Sequence, residues 1–143
     1  MKVKCIANNG THLRRCNISS DTGYTIDSKF LLTVGKEYTV YGITIEMGSL
    51  WYYVTEDIFN DNINNVRFPI WRPSELFEVI DNRISKTWVV GCLDFGIEGL
   101  VPILTFPEWA NNHWDYYDRL ADGEEEAFEV FMKYKEIMDT EFD

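Results

Sequence analysis

Leu31-Leu32-Thr33-Val34-Gly35-Lys36-Glu37-Tyr38-Thr39-Val40 is the stretch that decides how the rest of the chain is read. An apolar run stops at Gly35 and restarts at once as an alternating segment, with Tyr38 and Val40 on one side and Glu37 and Thr39 on the other. This pattern predicts a tight turn feeding a half-buried β-strand over residues 36–45. Upstream, residues 2–7 predict a short first strand with Val3, Cys5 and Ala7 on one face, broken at Asn8-Asn9-Gly10. Residues 8–29 between them have the Asn, Ser, Thr, Gly and Asp content of a loop. A loop of that length inside a compact domain is either functional or partly disordered. Downstream, Glu46-Met47-Gly48-Ser49 predicts a turn and Leu50-Trp51-Tyr52-Tyr53-Val54 an aromatic strand. A polar loop from Glu56 to Asn65 leads to a strand over 66–71, placed at a sheet edge by Pro69. One 3₁₀-type turn at Arg72-Pro73-Ser74-Glu75 then precedes a last strand, Leu76 to Ile80.

That order of strand, long loop, turn and strand, aromatic strand, strand, single turn and strand resembles an SH3-like barrel. The long loop stands for the RT loop, Thr33-Val34-Gly35-Lys36 for the diverging turn, and Pro73-Ser74-Glu75-Leu76-Phe77 for the Pro-Ser-x-Tyr-Val segment. Trp51 lies where SH3 domains place a groove tryptophan. The chain is also similar to small bacterial and phage proteins of this barrel type. The matching residues are Val3-Lys4-Cys5-Ile6, Leu32-Thr33-Val34-Gly35-Lys36-Glu37-Tyr38 and Leu76-Phe77-Glu78-Val79. The resemblance covers residues 1–81 and implies a fold rather than an activity. The Ala-Leu-Tyr-Asp-Tyr signature of peptide-binding SH3 domains is absent.

From Asp81 the character changes. Lys86 to Leu93 and Leu100 to Leu104 predict a β-hairpin that extends the barrel, joined by a loop containing Gly96 and Gly99. Thr105, Pro107 and Glu108 predict a capped helix start. This helix carries Trp109, Ala110, His113, Trp114, Tyr117 and Leu120 and stops at Gly123. Asp122 with Glu125 predicts the cap of a second helix over 124–141, whose apolar stripe is Ala127, Val130, Phe131, Tyr134, Ile137 and Met138. The expected fold class is therefore mainly β with C-terminal α: an SH3-like barrel over 1–81, then an acidic hairpin and two helices over 82–143 packed on it.

A chain of 143 residues with 45% hydrophobic and 15% aromatic content is one globular domain, or one domain with an appendage. It has no run near the roughly 20 apolar residues of a membrane span, and Met1-Lys2-Val3-Lys4-Cys5 is not expected to open a secretory signal. The scattered Cys5, Cys16 and Cys92 make no disulfide framework and fit a reducing cytoplasm. The N-x-[ST] triplets at Asn9 and Asn17 accordingly carry no weight. The net charge of −11 is uneven, −2 over residues 1–81 and −9 over 82–143. This disfavours direct nucleic-acid binding, which rests on cations neutralising phosphate. The better electrostatic match is a basic protein, or one whose site normally holds nucleic acid; the alternative is an acidic surface that only keeps the chain soluble.

The chemistry-bearing residues are few. His12 and His113, the only histidines, have no Cys or carboxylate at metal-ligand spacing, so neither a metal nor a cofactor is expected. A Cys–His nucleophilic pair would need His113 beside a cysteine in space; Cys5 and Cys92 are read instead as small core hydrophobes. Asp94-Phe95-Gly96 spells a kinase triplet without the accompanying kinase segments. Glu108, Asp115 and Asp118 are read as a solvated helix face. The aromatics are more informative, because exposed Trp and Tyr are good binding anchors. The expected function is that of a non-enzymatic protein-binding protein, most concretely an acidic inhibitor of immunity or phage counter-defence type. Asp115, Asp118, Glu124 and Glu125 would supply the acidic surface, and Trp51, Tyr53, Trp71 and Pro73 the contacts on the barrel. The alternative is a peptide- or small-ligand-binding module using a groove around Trp51, Pro73 and Phe77.

Overall fold

The computed structural model describes residues 1–60, 67–94 and 99–143. The predicted loop centre Asn60-Asp61-Asn62, the start of the 66–71 strand and Phe95 and Gly96 fall wholly or partly outside these. Among the described residues eight strands form two antiparallel sheets. The first contains β1 (Lys2–Cys5), flanked by β2 (Glu37–Thr39) and β6 (Phe77–Asp81). The second runs in the order β5 (Ile70–Pro73), β4 (Ser49–Val54), β3 (Gly42–Glu46), β8 (Leu100–Thr105), β7 (Val89–Asp94).

The predicted strand 36–45 is divided between the two sheets. Its first half pairs Val3 with Tyr38, and Val40 still donates its N–H to the Met1 carbonyl at 3.1 Å. One residue later, the Tyr41 N–H donates to Tyr53 at 2.9 Å and the chain has changed sheet. Side chains alternate along extended backbone, so these neighbours point into different cores. Val40 packs with Val3, Cys5, Leu32, Tyr52, Val54 and Leu76, while Tyr41 packs with Phe106, Trp109, Phe131 and Met138. Beyond the bend, β3 and β4 are joined by Met47 and Gly48, both at positive φ (50° and 70°), as a tight hairpin turn requires. The described strands thus make two open sheets, and the strand containing Pro69 in the sequence reading begins instead at Ile70.

The long loop 8–29 is tied down at both ends and in the middle. Asn9 bridges Lys29, the Phe30 N–H donates to Asn8, and Leu13 is buried in the first core. The fully buried Asn17 amide donates to both Glu75 oxygens, at 2.9 and 3.1 Å, fixing the loop to the 3₁₀ turn Ser74–Leu76. Arg72 does the same from β5: it donates to the buried Glu56 carboxylate at 2.6 Å and to the Tyr24 hydroxyl at 3.1 Å.

The hairpin β7–β8 joins the second sheet through Thr44↔Ile103, and the Thr44 hydroxyl donates to Pro102. Residues 1–81 and 82–143 therefore share one sheet. The helix expected from Thr105 to Leu120 is two: α1 (Pro107–Ala110) and α2 (His113–Ala121), interrupted at Asn111-Asn112. Thr105 does not cap it. Its hydroxyl donates to the Tyr41 carbonyl at 2.8 Å, which holds Thr105 in β8 and leaves Phe106 as the cap position. The Asp122 cap is corrected likewise: Asp122 closes α2, with Gly123 at φ 79° ending it, and α3 (Glu125–Thr140) starts after Glu124. The α3 stripe lies as expected over the second core, with Ala127, Phe131 and Met138 buried and Tyr134 stacked on Phe106 at 4.3 Å. Cys5 is buried, but Cys92 is exposed on the edge strand β7, contrary to its reading as a core residue.

Candidate binding site

Strand β4 has apolar side chains on both faces, and both faces are covered. Leu50, Tyr52 and Val54 belong to the first core. Tyr53 points the other way, under α1 and α2, with Trp109 at 4.7 Å and Tyr117 at 5.7 Å between ring centroids. Beside it in register is Trp71 of β5. On α2, His113, Trp114 and Tyr117 come to the same place, because positions i and i+4 share one helix face. His113 and Tyr117 stack at 5.5 Å with planes 8° apart, and Trp114 stands edge-on to His113.

Together these residues line a pocket of about 570 Å³, completed by Leu93, Met47 and the carboxylate residues Asp21 and Glu46. The volume is in the range of roughly 300–1,000 Å³ typical of ligand sites, as is the aromatic lining with a few polar groups. Some polar atoms in the walls are engaged. Tyr117 donates its hydroxyl to the Pro69 carbonyl at 2.9 Å, and Trp114 donates its indole N–H to the Asp94 carbonyl at 3.1 Å. The Tyr53 hydroxyl makes no hydrogen bond among the described residues. Among the same residues His113 uses one of its two ring nitrogens: Nδ1 accepts the Trp109 indole N–H at 2.7 Å. A neutral imidazole accepting at Nδ1 carries its proton on Nε2, so the free nitrogen is a donor.

Electrostatics reinforces that assignment. Burial lowers His113 to about 4, so it is neutral near pH 7. Burial, helped by Tyr117 and Glu46, pushes the Tyr53 phenol far above its ordinary value of 10, so it too stays neutral. An imidazole whose Nδ1 is occupied and whose Nε2 is protonated has no lone pair with which to abstract a proton. It can orient a ligand by donating a hydrogen bond. No cysteine lines the pocket, and among the described residues no group of three or more His, Cys, Asp or Glu is placed to hold a metal.

The residues singled out from sequence are thus divided. Tyr53 and Trp71 line the pocket. Trp51 and Pro73 do not, and the groove expected around Trp51, Pro73 and Phe77 is not open to solvent. Trp51 is 0% exposed, covered by Trp71 at 4.5 Å and flanked by Tyr24 at 6.3 Å, with its indole N–H on the Glu46 carbonyl. Pro73 is its buried cross-strand partner, and Phe77 sits in the first core, 6.1 Å from both Tyr38 and Tyr52. The carboxylates lie apart from the pocket, at the α2–α3 turn. Asp115 and Glu124 both pair with Arg119, at 3.6 and 2.6 Å, and Glu125 pairs with Arg67 at 3.2 Å. Asp118 is exposed on α2. Sequence reasoning missed Asp21, Glu46, Met47 and Leu93 as wall residues and placed Trp114 and Tyr117 on a helix without naming them as site residues. The i, i+4 pair His113 and Tyr117 was the available signal. Comparison with protein-family models, with curated proteins and with solved structures returns no match in any of the three. Among the described residues no helix is long and apolar enough to cross a membrane.

Proposed function

We propose that this chain is a non-enzymatic protein that binds another protein, built on an SH3-like barrel over residues 1–81 and docking its partner at the aromatic pocket. What supports the fold reading is the order of its strands, the single bent segment that serves both sheets, and the 3₁₀ turn just before β6. What supports binding is one observation: an aromatic-walled pocket lined by Tyr53 and His113, whose hydroxyl and Nε2 have no hydrogen-bond partner among the described residues. A partner that seats in the pocket can bond to both. The acidic surface makes a basic partner the favoured one. In the narrower form of this reading the protein is an acidic inhibitor, and the helical carboxylates attract the basic partner from outside the pocket.

Trp114 offers the test, since it is 45% exposed and its removal leaves both cores intact. Trp114→Ala should lose the partner that the wild-type protein retains from lysate at low salt, with its melting temperature nearly unchanged. Recovery of the same partner by W114A, or recovery by the wild type that is indifferent to salt, overturns the reading.

A further inference from the structure

Resting on the pocket reading above, we infer that the group the pocket receives is a peptide-borne arginine of the partner: the guanidinium enters among the aromatic rings and the adjoining peptide carbonyl meets His113.

The walls choose the charge. Tyr53, Trp71, Trp114 and Tyr117 surround the space with aromatic rings, and Glu46 and Asp21 add carboxylates. Aromatic faces carry negative charge density and attract cations, guanidinium most often. Two carboxylates in a protein of net charge −11 reject an anion and hold a cation. The shape favours a flat cation. A planar guanidinium stacks on an aromatic face such as that of Trp114, which lines the pocket and is 45% exposed, where a tetrahedral ammonium does not.

The two polar groups identify the remainder. The Tyr53 oxygen can accept one of the five N–H donors of a guanidinium. His113 Nε2–H is itself a donor and cannot serve a cation that has only donors; it requires an acceptor. An arginine within a peptide carries both, a guanidinium at the tip and carbonyls at the base. Free guanidine or a polyamine has no such acceptor. A nucleotide has acceptors but brings phosphates, which the carboxylates oppose.

The test is a ¹⁵N-resolved NMR titration of the intact chain with N-acetyl-arginine-N-methylamide, its lysine counterpart and its uncharged citrulline isostere. The arginine compound should shift the Trp114 and Tyr53 resonances and bind about tenfold more tightly than citrulline, with lysine between them. Glu46→Gln should weaken arginine binding several-fold and leave citrulline binding unchanged. Equal binding of arginine and citrulline overturns the inference. So does arginine binding that neither E46Q nor W114A changes. If W114A loses the lysate partner while the arginine compound fails to bind the wild type, the cation assignment falls and the pocket stands as the docking site. If W114A keeps the partner, the docking reading itself falls.

Discussion

His113 shows what a single buried side chain does to the pH response of the whole chain. Its pKa in the fold, about 4, lies below the roughly 6.5 of an unfolded histidine. On acidification the unfolded chain therefore takes up the proton first. The stabilisation is complete above about pH 6.5, declines as the pH falls, and levels off near 4. His113→Gln, whose amide oxygen can still accept the Trp109 N–H, should flatten the melting temperature between pH 6.5 and 4 relative to wild type. Equal slopes in the two proteins would contradict this account. Asp57 acts in a lower window. Burial raises its pKa, but hydrogen bonds from Lys36, Thr33 and Tyr38 outweigh that and hold it below 3.8. Its contribution is present above 3.8 and is lost only as the pH falls through its lower folded value. Met47 is the other telling residue, a bulky side chain at φ 50° on the pocket rim. Met47→Asn, better suited to that backbone, should raise stability by about 0.5–1 kcal/mol in denaturant titration. The same change should weaken partner binding. Strained residues gather at functional sites, and a stabler variant that binds as well as wild type would remove Met47 from the site.

Among the elements, α1 is held by a position with no side chain at all. A Cβ on Gly91 of β7 would lie 1.9 Å from the Ala110 carbonyl oxygen, so helix and strand touch backbone to backbone. Gly91→Ala has to push α1 outward, carrying Trp109 and the α2 wall of the pocket with it. Overpacking costs about 1–3 kcal/mol, and the upper end is expected here because the opposing atom is backbone. Thermal melting that shows no loss for G91A would refute this packing. Elements differ in how far they can be read ahead. The turn at Gly35, the hairpin at Met47-Gly48 and the stop at Gly123 are written in local chemistry and stand where sequence puts them. The break at Asn111-Asn112 is not, because the apolar spacing from Trp109 to Leu120 runs straight through it. What breaks the helix is tertiary: the hold on Thr105 by Tyr41 and the seat on Gly91. The pocket was still less legible, since its walls come from residues 21, 46, 47, 53, 71, 93, 113, 114 and 117. No window of sequence contains them together.

At the scale of the molecule, the charge boundary near residue 81 is not a boundary in the fold. Tyr41 and Tyr53 come from the first part and Phe106, Trp109 and Phe131 from the second, yet they share one core. A fragment of residues 1–81 would expose Tyr41, Tyr53 and the edge of β3 that β8 covers. Such bare edges invite association, so the fragment should sediment as aggregate or fail to show a cooperative melt. A monomeric fragment with native near-ultraviolet dichroism would separate the two parts after all. The intact chain should unfold in one transition, with calorimetric and van't Hoff enthalpies equal.

The change of sheet between Val40 and Tyr41 also determines where the gene can tolerate changes in length. Val40 is committed to the first interior and Tyr41 to the second, and Tyr52 and Tyr53 of β4 divide in the same way, so losing or gaining one codon within these strands exchanges the destinations of the strand residues that follow. Drift within such a lineage should accordingly leave this spacing rigid, and alignments of diverged copies should show no gaps from Tyr38 to Thr44 or from Leu50 to Val54.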